Sequence, residues 1–341
     1  MASDVPARTE RDGPGAQIAQ WLEHFRDRIN LSTLDAHAAA PVRLLIGGDG
    51  ADELMDLLDP LHVARGSVLE RLESAPNWMV ADSATRCIVL CAASGSVPPD
   101  VLAPYASSLL PVFVIDRPER STTDEQAIVT AQRARPAPGK PARYYVSSLD
   151  ADELGRYVLP GIVDVCRDVE IALAARLAIF RPIVAAKITV DCALNSLKIA
   201  GASALVDHVP VLGLVLGSIA SAGDTVVITG LQVQMLLRIA SAYGKKADFA
   251  RIVELLPVIG GGYGWRALAR EVSGFIPFAG PVIKAGIAYA GTLVLGQAAA
   301  FYYETGDRMA PEKMRALYRE AIERARNVAV DLIARLRKKS E

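Results

Sequence analysis

The sequence predicts an α/β fold, a parallel sheet with its helices, followed by an all-α domain rich in Gly and Ala. Before about residue 150, four short apolar runs end near Gly, Ser or Asp and lead into other segments, which is typical of buried parallel strands. After residue 150 this pattern disappears. Further on, nineteen residues follow Lys284 without a charge, which is long enough for a helix that crosses a bilayer.

The elements of the predicted α/β domain, residues 16–150, follow from apolar periodicity. The first is an amphipathic helix over Ile18–Leu31, whose apolar stripe is Ile18, Trp21, Leu22, Phe25 and Ile29. The strand candidates are Val42–Ile46, Arg86–Cys91, Val112–Ile115 and Arg143–Ser147, with a helix ending at Leu58 after the first. The stretch Arg120–Lys140 is rich in Pro, Arg and Thr, which predicts a polar loop.

The elements of the predicted helical domain, residues 151–341, follow from Pro, Gly and capping signals. Asp224 is a candidate N-cap for a helix that ends at Tyr243, where Gly244 would stop it. One or two helices are predicted over Asp152–Ile179, and another begins near Pro182. The remaining predicted helices are Lys245–Leu256, Trp265–Val272 and Glu312–Lys339. Glycines 260, 261, 262 and 264 predict a break between two of them.

Composition excludes several classes of function. The net charge of −1 and the pI near 6.5 give no global field that would attract nucleic acid. The four cysteines form no CxxC pair and the four histidines are scattered, so we expect no metal site and a reducing compartment. Residues 1–15 are polar and lack an apolar core, which predicts a disordered tail and not a signal peptide.

A glycine-rich turn follows the first predicted strand, at the place where nucleotide-binding folds hold phosphate. It consists of Gly47, Gly48, Asp49 and Gly50. A working phosphate loop reads GxxxxGK[ST]. Counted from Gly47, the last three positions are Asp52, Glu53 and Leu54. Because the lysine and the hydroxyl are missing and two carboxylates would repel a triphosphate, we expect no GTPase activity and no catalytic residue.

The order of the loops resembles that of an Era-like GTPase domain. Asp116-Arg-Pro-Glu119 stands where such domains carry Asn-Lys-x-Asp for guanine, and Val146-Ser147-Ser148-Leu149 resembles their later base loop. The resemblance implies degenerate nucleotide-loop positions at Gly47, Gly48, Asp49, Gly50, Asp116 and Ser147. It would make GTP or GDP the ligand, but the missing lysine and hydroxyl lead us to expect no cofactor. An unrelated Rossmann-like sheet is the alternative.

Several blocks of the helical half resemble the family named domain of unknown function 697. They are Pro210–Gly213 with Asp224, Leu231–Gly244, Ile276–Gly280 and Thr292–Tyr303, and they span roughly residues 165–305. The resemblance implies a helical domain that follows an Era-like GTPase domain and associates with a membrane. The family has no established catalytic residues to transfer.

Three functional hypotheses follow. The first is a non-catalytic, membrane-associated protein at the cytoplasmic face of the inner membrane, in which a GTPase-like recognition module is fused to an apolar helical domain. Its partners would be membrane lipid or a membrane protein. The second is a GTP-dependent switch that acts through the helical domain. The third is a soluble, cytoplasmic helical scaffold or homo-oligomer, in which polar residues such as Gln232, Gln234 and Arg238 would form hydrogen bonds within a bundle.

Overall fold

The computed structural model of the chain describes residues 29–61, 68–72, 83–118, 135–206, 213–260 and 281–340. Its sheet has five parallel strands in the order β2-β1-β3-β4-β5. The strands are β1 Arg43–Gly47, β2 Leu69–Arg71, β3 Thr85–Cys91, β4 Val112–Asp116 and β5 Ala142–Tyr145. The predicted α/β character, with a parallel sheet and helices, is therefore confirmed.

Eleven α-helices lie in the described part of the chain. The shorter ones are α1 Leu31–Ala39, α2 Ala51–Leu58, α3 Pro99–Leu102, α4 Ala151–Tyr157, α5 Leu159–Val165 and α6 Glu170–Arg176. The later ones are α7 Arg181–Val206, α8 Gly213–Ala242, α9 Phe249–Gly260, α10 Pro281–Thr305 and α11 Pro311–Ser340. The segment Asp152–Ile179, for which one or two helices were expected, contains three: α4, α5 and α6.

Strand β2 is the described strand that the sequence pattern missed. It pairs with β1 at the edge of the sheet, where Leu69 lies opposite Leu44. Its other two residues, Glu70 and Arg71, are exposed and charged. A three-residue edge strand with one buried side chain gives neither an apolar run nor an alternation, so the pattern contains no signal for it.

Side chains alternate between the two faces of the central strands. On one face Cys87, Val89 and Ile115 join a core shared with α2 and the helices after β5. On the other face Ile88 and Leu90 pack with Tyr105, which follows α3. This two-sided burial is the reason that the strands read as continuous apolar runs.

The helix predicted over Ile18–Leu31 does not run through its last residues. Asn30 has extended backbone angles, and its side chain accepts a hydrogen bond from the backbone N–H of Thr33. It is therefore the N-cap of α1, and Leu31 belongs to that following helix. Residues 18–28, like the predicted tail over 1–15, lie outside the described residues.

The predicted N-cap at Asp224 is wrong, because α8 begins eleven residues earlier, at Gly213. The apolar residues before Asp224 continue the helix, and one aspartate does not interrupt it.

The predicted end of α8 at Gly244 is confirmed. Gly244 has φ +72°, and the backbone N–H of Lys245 returns to the carbonyl of Ala240 at 2.9 Å, as in a glycine C-cap. The next helix, α9, begins at Phe249 and not at Lys245, and predicted helix Trp265–Val272 lies outside the described residues.

The sheet and the later helices share one core. Helix α5 lies against the sheet at Gly161, where a side chain would come within 2.9 Å of the Phe113 ring and 3.1 Å of the Tyr144 hydroxyl. The same cluster of buried residues continues through Leu173 and Phe180 to Leu237 in α8. Helices that follow residue 150 therefore cover one face of the sheet, and the chain then continues into the helical bundle.

A buried carboxylate joins three helices beside this core. Glu170, at the start of α6, is 4 % exposed. It accepts hydrogen bonds from Lys187 Nζ in α7 at 2.6 Å and from Arg238 Nη2 in α8 at 3.0 Å. Lys187 also lies 4.0 Å from Asp164, which pairs with Arg135 at 3.2 Å. We call Glu170, Lys187 and Arg238 the junction cluster.

Helix α10 forms the centre of the bundle and is covered by its neighbours. In the described part of the chain, one helical stretch, Ala285–Thr305, is long and apolar enough to cross a membrane by length and composition. However, 61 % of the most apolar part of this stretch is buried inside the protein. Its Thr292 hydroxyl lies 3.2 Å from that of Ser196 in α7 and accepts a hydrogen bond from Gln232 in α8 at 2.9 Å.

Two glycines of α10 differ in the space that a side chain would have at their positions. A Cβ on Gly296 would lie 2.3 Å from the Oγ1 of buried Thr189 in α7. A Cβ on Gly286 would lie 3.7 Å from the Cβ of Ala325 in α11, which is an ordinary contact. Close approach of α7 and α10 therefore requires glycine at 296, whereas position 286 has room for a methyl group.

This difference predicts the effect of two alanine substitutions. We expect Gly296→Ala to lower the free energy of unfolding by about 1–2 kcal/mol, since overpacking outweighs the better helix propensity of alanine. Gly286→Ala is the matched control and should be neutral or stabilising by up to about 1 kcal/mol. Urea unfolding followed by circular dichroism measures both. Equal stability of the two variants would contradict the packing described here.

Candidate functional site

The candidate site is the carboxyl edge of the sheet. Open α/β sheets bind ligands outside the carboxyl ends of their strands, where the strand order reverses. Here the reversal lies between β1 and β3. The six sequence-predicted positions all follow or end strands at this edge: Gly47, Gly48, Asp49 and Gly50 at β1, Asp116 at β4 and Ser147 at β5.

The glycine turn after β1 lies directly on the backbone of β3. Gly48 has φ +94°, and a Cβ there would lie 2.2 Å from the carbonyl oxygen of Cys91. A Cβ on Gly50 would lie 2.8 Å from the carbonyl of Ala92. The N–H of Gly50 donates to the Cys91 carbonyl at 3.0 Å. The glycines thus allow the turn after β1 to lie close to the backbone that follows β3. The Gly50 N–H already has a hydrogen-bond acceptor within the chain.

Carboxylates occupy the space beside the start of α2. Asp49 Oδ1 accepts a hydrogen bond from the backbone N–H of Ala93 at 2.9 Å. Asp52 and Glu53 lie in the first turn of α2, where they interact favourably with the helix dipole. Asp52 pairs with Arg71, and Glu53 Oε2 lies 2.6 Å from Arg117 Nη1. The position that would hold a phosphate group is therefore surrounded by anions of the chain itself.

Asp116 is a structural residue at this edge. Its side chain is fully buried. Oδ1 accepts a hydrogen bond from the Val97 N–H at 2.8 Å, and Oδ2 accepts one from Arg143 Nη1 at 2.6 Å. Both carboxylate oxygens have partners, so this aspartate holds the loop after β3 to β4 and β5.

Ser147 belongs to the N-terminal cap of α4. Its hydroxyl donates to Glu153 Oε1 at 2.8 Å, and the Ser148 N–H donates to Glu153 Oε2 at 2.7 Å. The Glu153 N–H donates to the side chain of the N-cap Asp150 at 2.7 Å, so the two carboxylates tie the start of α4 to the turn before it. Burial raises the pKa of Glu153, but these hydrogen bonds outweigh it, so the pKa lies below its usual value. The hydrogen bond from the Ser148 hydroxyl lowers the pKa of Asp150.

The remaining chemistry at the edge gives no nucleophile and no metal site. Burial raises the pKa of the Cys91 thiol to about 12, although Arg117 nearby lowers it, so the thiolate is not populated at neutral pH. In the residues that the structure describes, no group of three or more His, Cys, Asp or Glu side chains can hold a metal ion. The lining of a cavity of about 490 Å³ beside the α4 cap includes three carboxylates, Asp150, Asp152 and Glu153, and one cation, Arg156, so its net charge disfavours an anionic ligand.

Polar residues of the helical half have internal roles, and the sequence reasoning missed their partner. Arg238 pairs with Glu170, and Gln232 donates to Thr292, whereas Gln234 is exposed. Nothing in the sequence singled out Glu170, because it stands at the start of a short helix far from Lys187 and Arg238 in the chain. An acid at the first turn of a helix was the available signal.

A scan against protein-family models finds no match, and searches of the curated proteins and of the solved structures find no similar protein either. The likeness to Era-like GTPases and to the domain of unknown function 697 therefore depends on the short sequence blocks given above.

The contacts of Asp116 predict its mutational profile. We expect Asp116→Ala to lower the free energy of unfolding by about 2–4 kcal/mol, because the Val97 N–H and Arg143 both lose their acceptor. Asp116→Asn should cost less, since one oxygen can still accept from Val97. Thermal and urea unfolding of the two variants measure this order. Wild-type stability of Asp116→Ala would show that the carboxylate is not a structural residue.

Proposed function

We propose that this chain is a non-catalytic protein in which a degenerate GTPase-like α/β module serves for recognition and the helical bundle associates with a membrane. One observation carries the non-catalytic part: at the carboxyl edge, several of the predicted nucleotide-loop positions form hydrogen bonds within the chain itself. Asp49 holds the Ala93 N–H, Gly50 is bonded to Cys91, and Asp116 has two internal partners.

The GTPase-like description of the module is supported by the arrangement of its loops. The glycine turn after β1, Asp116 at the end of β4 and Ser147 after β5 all lie at one edge of a parallel sheet. That is the arrangement that nucleotide-binding α/β folds use. Asp52 and Glu53 stand where lysine and its neighbour would be, which argues against a GTP-driven switch.

A titration with nucleotides tests the non-catalytic proposal. We expect no binding tighter than millimolar when GTP, GDP or ATP with Mg²⁺ is titrated into the full chain, because the edge is closed and acidic. Isothermal titration calorimetry is the measurement, with Mg²⁺ in buffer and inorganic triphosphate as blanks. A dissociation constant in the micromolar range would reject the proposal in favour of the GTP-dependent switch.

The membrane part of the proposal is supported by the arrangement of the helix ends. Helix α7 runs antiparallel to α10, because position 296 meets Thr189 and Gly201 meets Ala285. Helix α11 is also antiparallel to α10, since Lys313 lies over the Phe301 ring and Ala325 meets Gly286. The end of α7, the starts of α8 and α10 and the end of α11 therefore lie at one end of the bundle.

The sequence at this end is apolar and basic. The charge-free, mainly apolar stretch Val209–Ala222 includes the start of α8, and Phe275–Gly280 precede α10. Helix α11 continues past Ala325 for fifteen residues, about 22 Å of helix, and carries Arg335, Arg337, Lys338 and Lys339. Apolar residues beside cations suit the surface of a bilayer with anionic lipid.

A soluble scaffold or homo-oligomer is the second candidate, and a different observation favours it. Most of the apolar part of α10 is buried inside the protein. The Thr292 hydroxyl of α10 also forms hydrogen bonds with Ser196 and Gln232 inside the bundle. In that case the full chain would remain monodisperse without detergent and would not bind vesicles.

Vesicle flotation distinguishes the two candidates. We expect the double variant Lys338→Gln with Lys339→Gln to bind anionic vesicles about 30-fold more weakly, since each charge near the surface contributes about 1 kcal/mol. The matched control is Arg315→Gln with Arg319→Gln, at exposed positions of α11 about 29 Å or more from Lys338 and Lys339 along the helix, and should bind as wild type does. Failure of the wild type to float with vesicles at low salt would favour the scaffold.

A further inference from the structure

An open groove of about 750 Å³ lies between α1, α6 and α8. Its floor is apolar: Leu34 and Ile171 are buried, Leu231 is half-buried, and Val227 is 50 % exposed. Its rim is polar and includes Asn30, Thr33, His37, Arg167, Gln234 and Arg238. The junction cluster fixes one wall, because Arg238 and Glu170 both line the groove.

The groove has the composition of a docking surface for an amphipathic helix. Apolar floors with polar rims bind helices that place residues i, i+3 or i+4 and i+7 against the floor. Concave apolar surfaces of this kind mark interaction sites. Val227 would be a main contact for such a helix, because 50 % of its surface is exposed.

Ile29 connects this groove to a segment with matching chemistry. It is the first described residue and itself lines the groove. The 28 residues before it lie outside the described residues, and they carry Ile18, Trp21, Leu22 and Phe25, which share a helical stripe with Ile29. Phe25 precedes Ile29 by four residues, so the chain holds this segment next to the groove.

We propose that residues 18–28 of the chain dock as an amphipathic helix in its own groove, with Phe25 and Trp21 against Val227 and Leu231. The direct tether at Ile29 favours this occupant over a separate molecule. A short linker gives a local concentration in the millimolar range, so even a weak helix–groove contact is formed within the chain. A second copy or a foreign helix would have to compete with that tether.

Tryptophan fluorescence of the full chain tests the proposal. With Trp78→Phe and Trp265→Phe, Trp21 is the one remaining tryptophan. We expect its emission maximum to lie to the blue of that of a peptide spanning residues 14–30, because the docked indole is shielded from water. Val227→Asp should shift the emission to the value of the peptide. Val253→Asp is the matched control, since Val253 on α9 is 51 % exposed but does not line the groove, and should leave the emission unchanged.

The outcomes of this experiment distinguish docking within one chain from docking in a second copy. Peptide-like emission before any groove substitution, or equal shifts with Val227→Asp and Val253→Asp, would overturn the proposal. So would a blue-shifted emission that appears only as a dimer forms in sedimentation, because the segment would then dock in a second copy.

A disulfide measurement keeps the proposal testable if the tryptophan variants do not fold. The four native cysteines are buried, so introduced pairs react selectively. Phe25→Cys with Val227→Cys should form a cross-link within one chain under mild oxidation, whereas Phe25→Cys with Val253→Cys should not. Cross-linking to equal extents in both pairs would contradict docking in the groove.

Discussion

The buried carboxylate of Glu170 is the constraint on which the arrangement of the helices depends. Burying a charge is costly unless it is paired and hydrogen-bonded. Glu170 meets this requirement only when Lys187 of α7 and Arg238 of α8 reach it together, at 2.6 Å and 3.0 Å. A slip of either helix by one turn would leave a buried charge without its partner. The junction cluster therefore sets the register of α6, α7 and α8, and with it the wall of the groove.

The carboxyl edge of the sheet obeys the same rule, with the protein's own anions in place of a ligand. A parallel sheet collects backbone N–H groups and helix starts at this edge, which favours negative charge. Asp49, Glu53 and Asp116 supply that charge internally and each has a donor or cation within 2.9 Å. Opening the edge for a phosphate would break these contacts and bring like charges together.

Much of this was predictable from the sequence, and the failures have local causes. Buried strands such as Val112–Asp116 produce apolar runs of their own, and Gly244 ended α8 because its backbone requires φ > 0. The missing lysine at the glycine turn also predicts a turn that does not bind phosphate, and this stays a prediction. In contrast, β2 depends on pairing with β1, and Glu170 depends on residues 17 and 68 positions away. Periodicity and capping rules do not contain such distant contacts.

The burial of α10 restricts the forms that the proposed membrane association could take. Glycine and alanine at helix contacts are used both in bilayers and in compact bundles, so the apolar composition of α10 does not distinguish them. Its flanks already contact α7 at Thr189, α8 at Gln232 and α11 at Ala325. A lone span would have to give up these contacts, including the hydrogen bond of Thr292 to Gln232. Contact with lipid through the end of the bundle keeps all of them, because that end carries the apolar stretch before Asp224 and the cations after Ala334. An approach by the end of the bundle is therefore the one that is consistent with its packing.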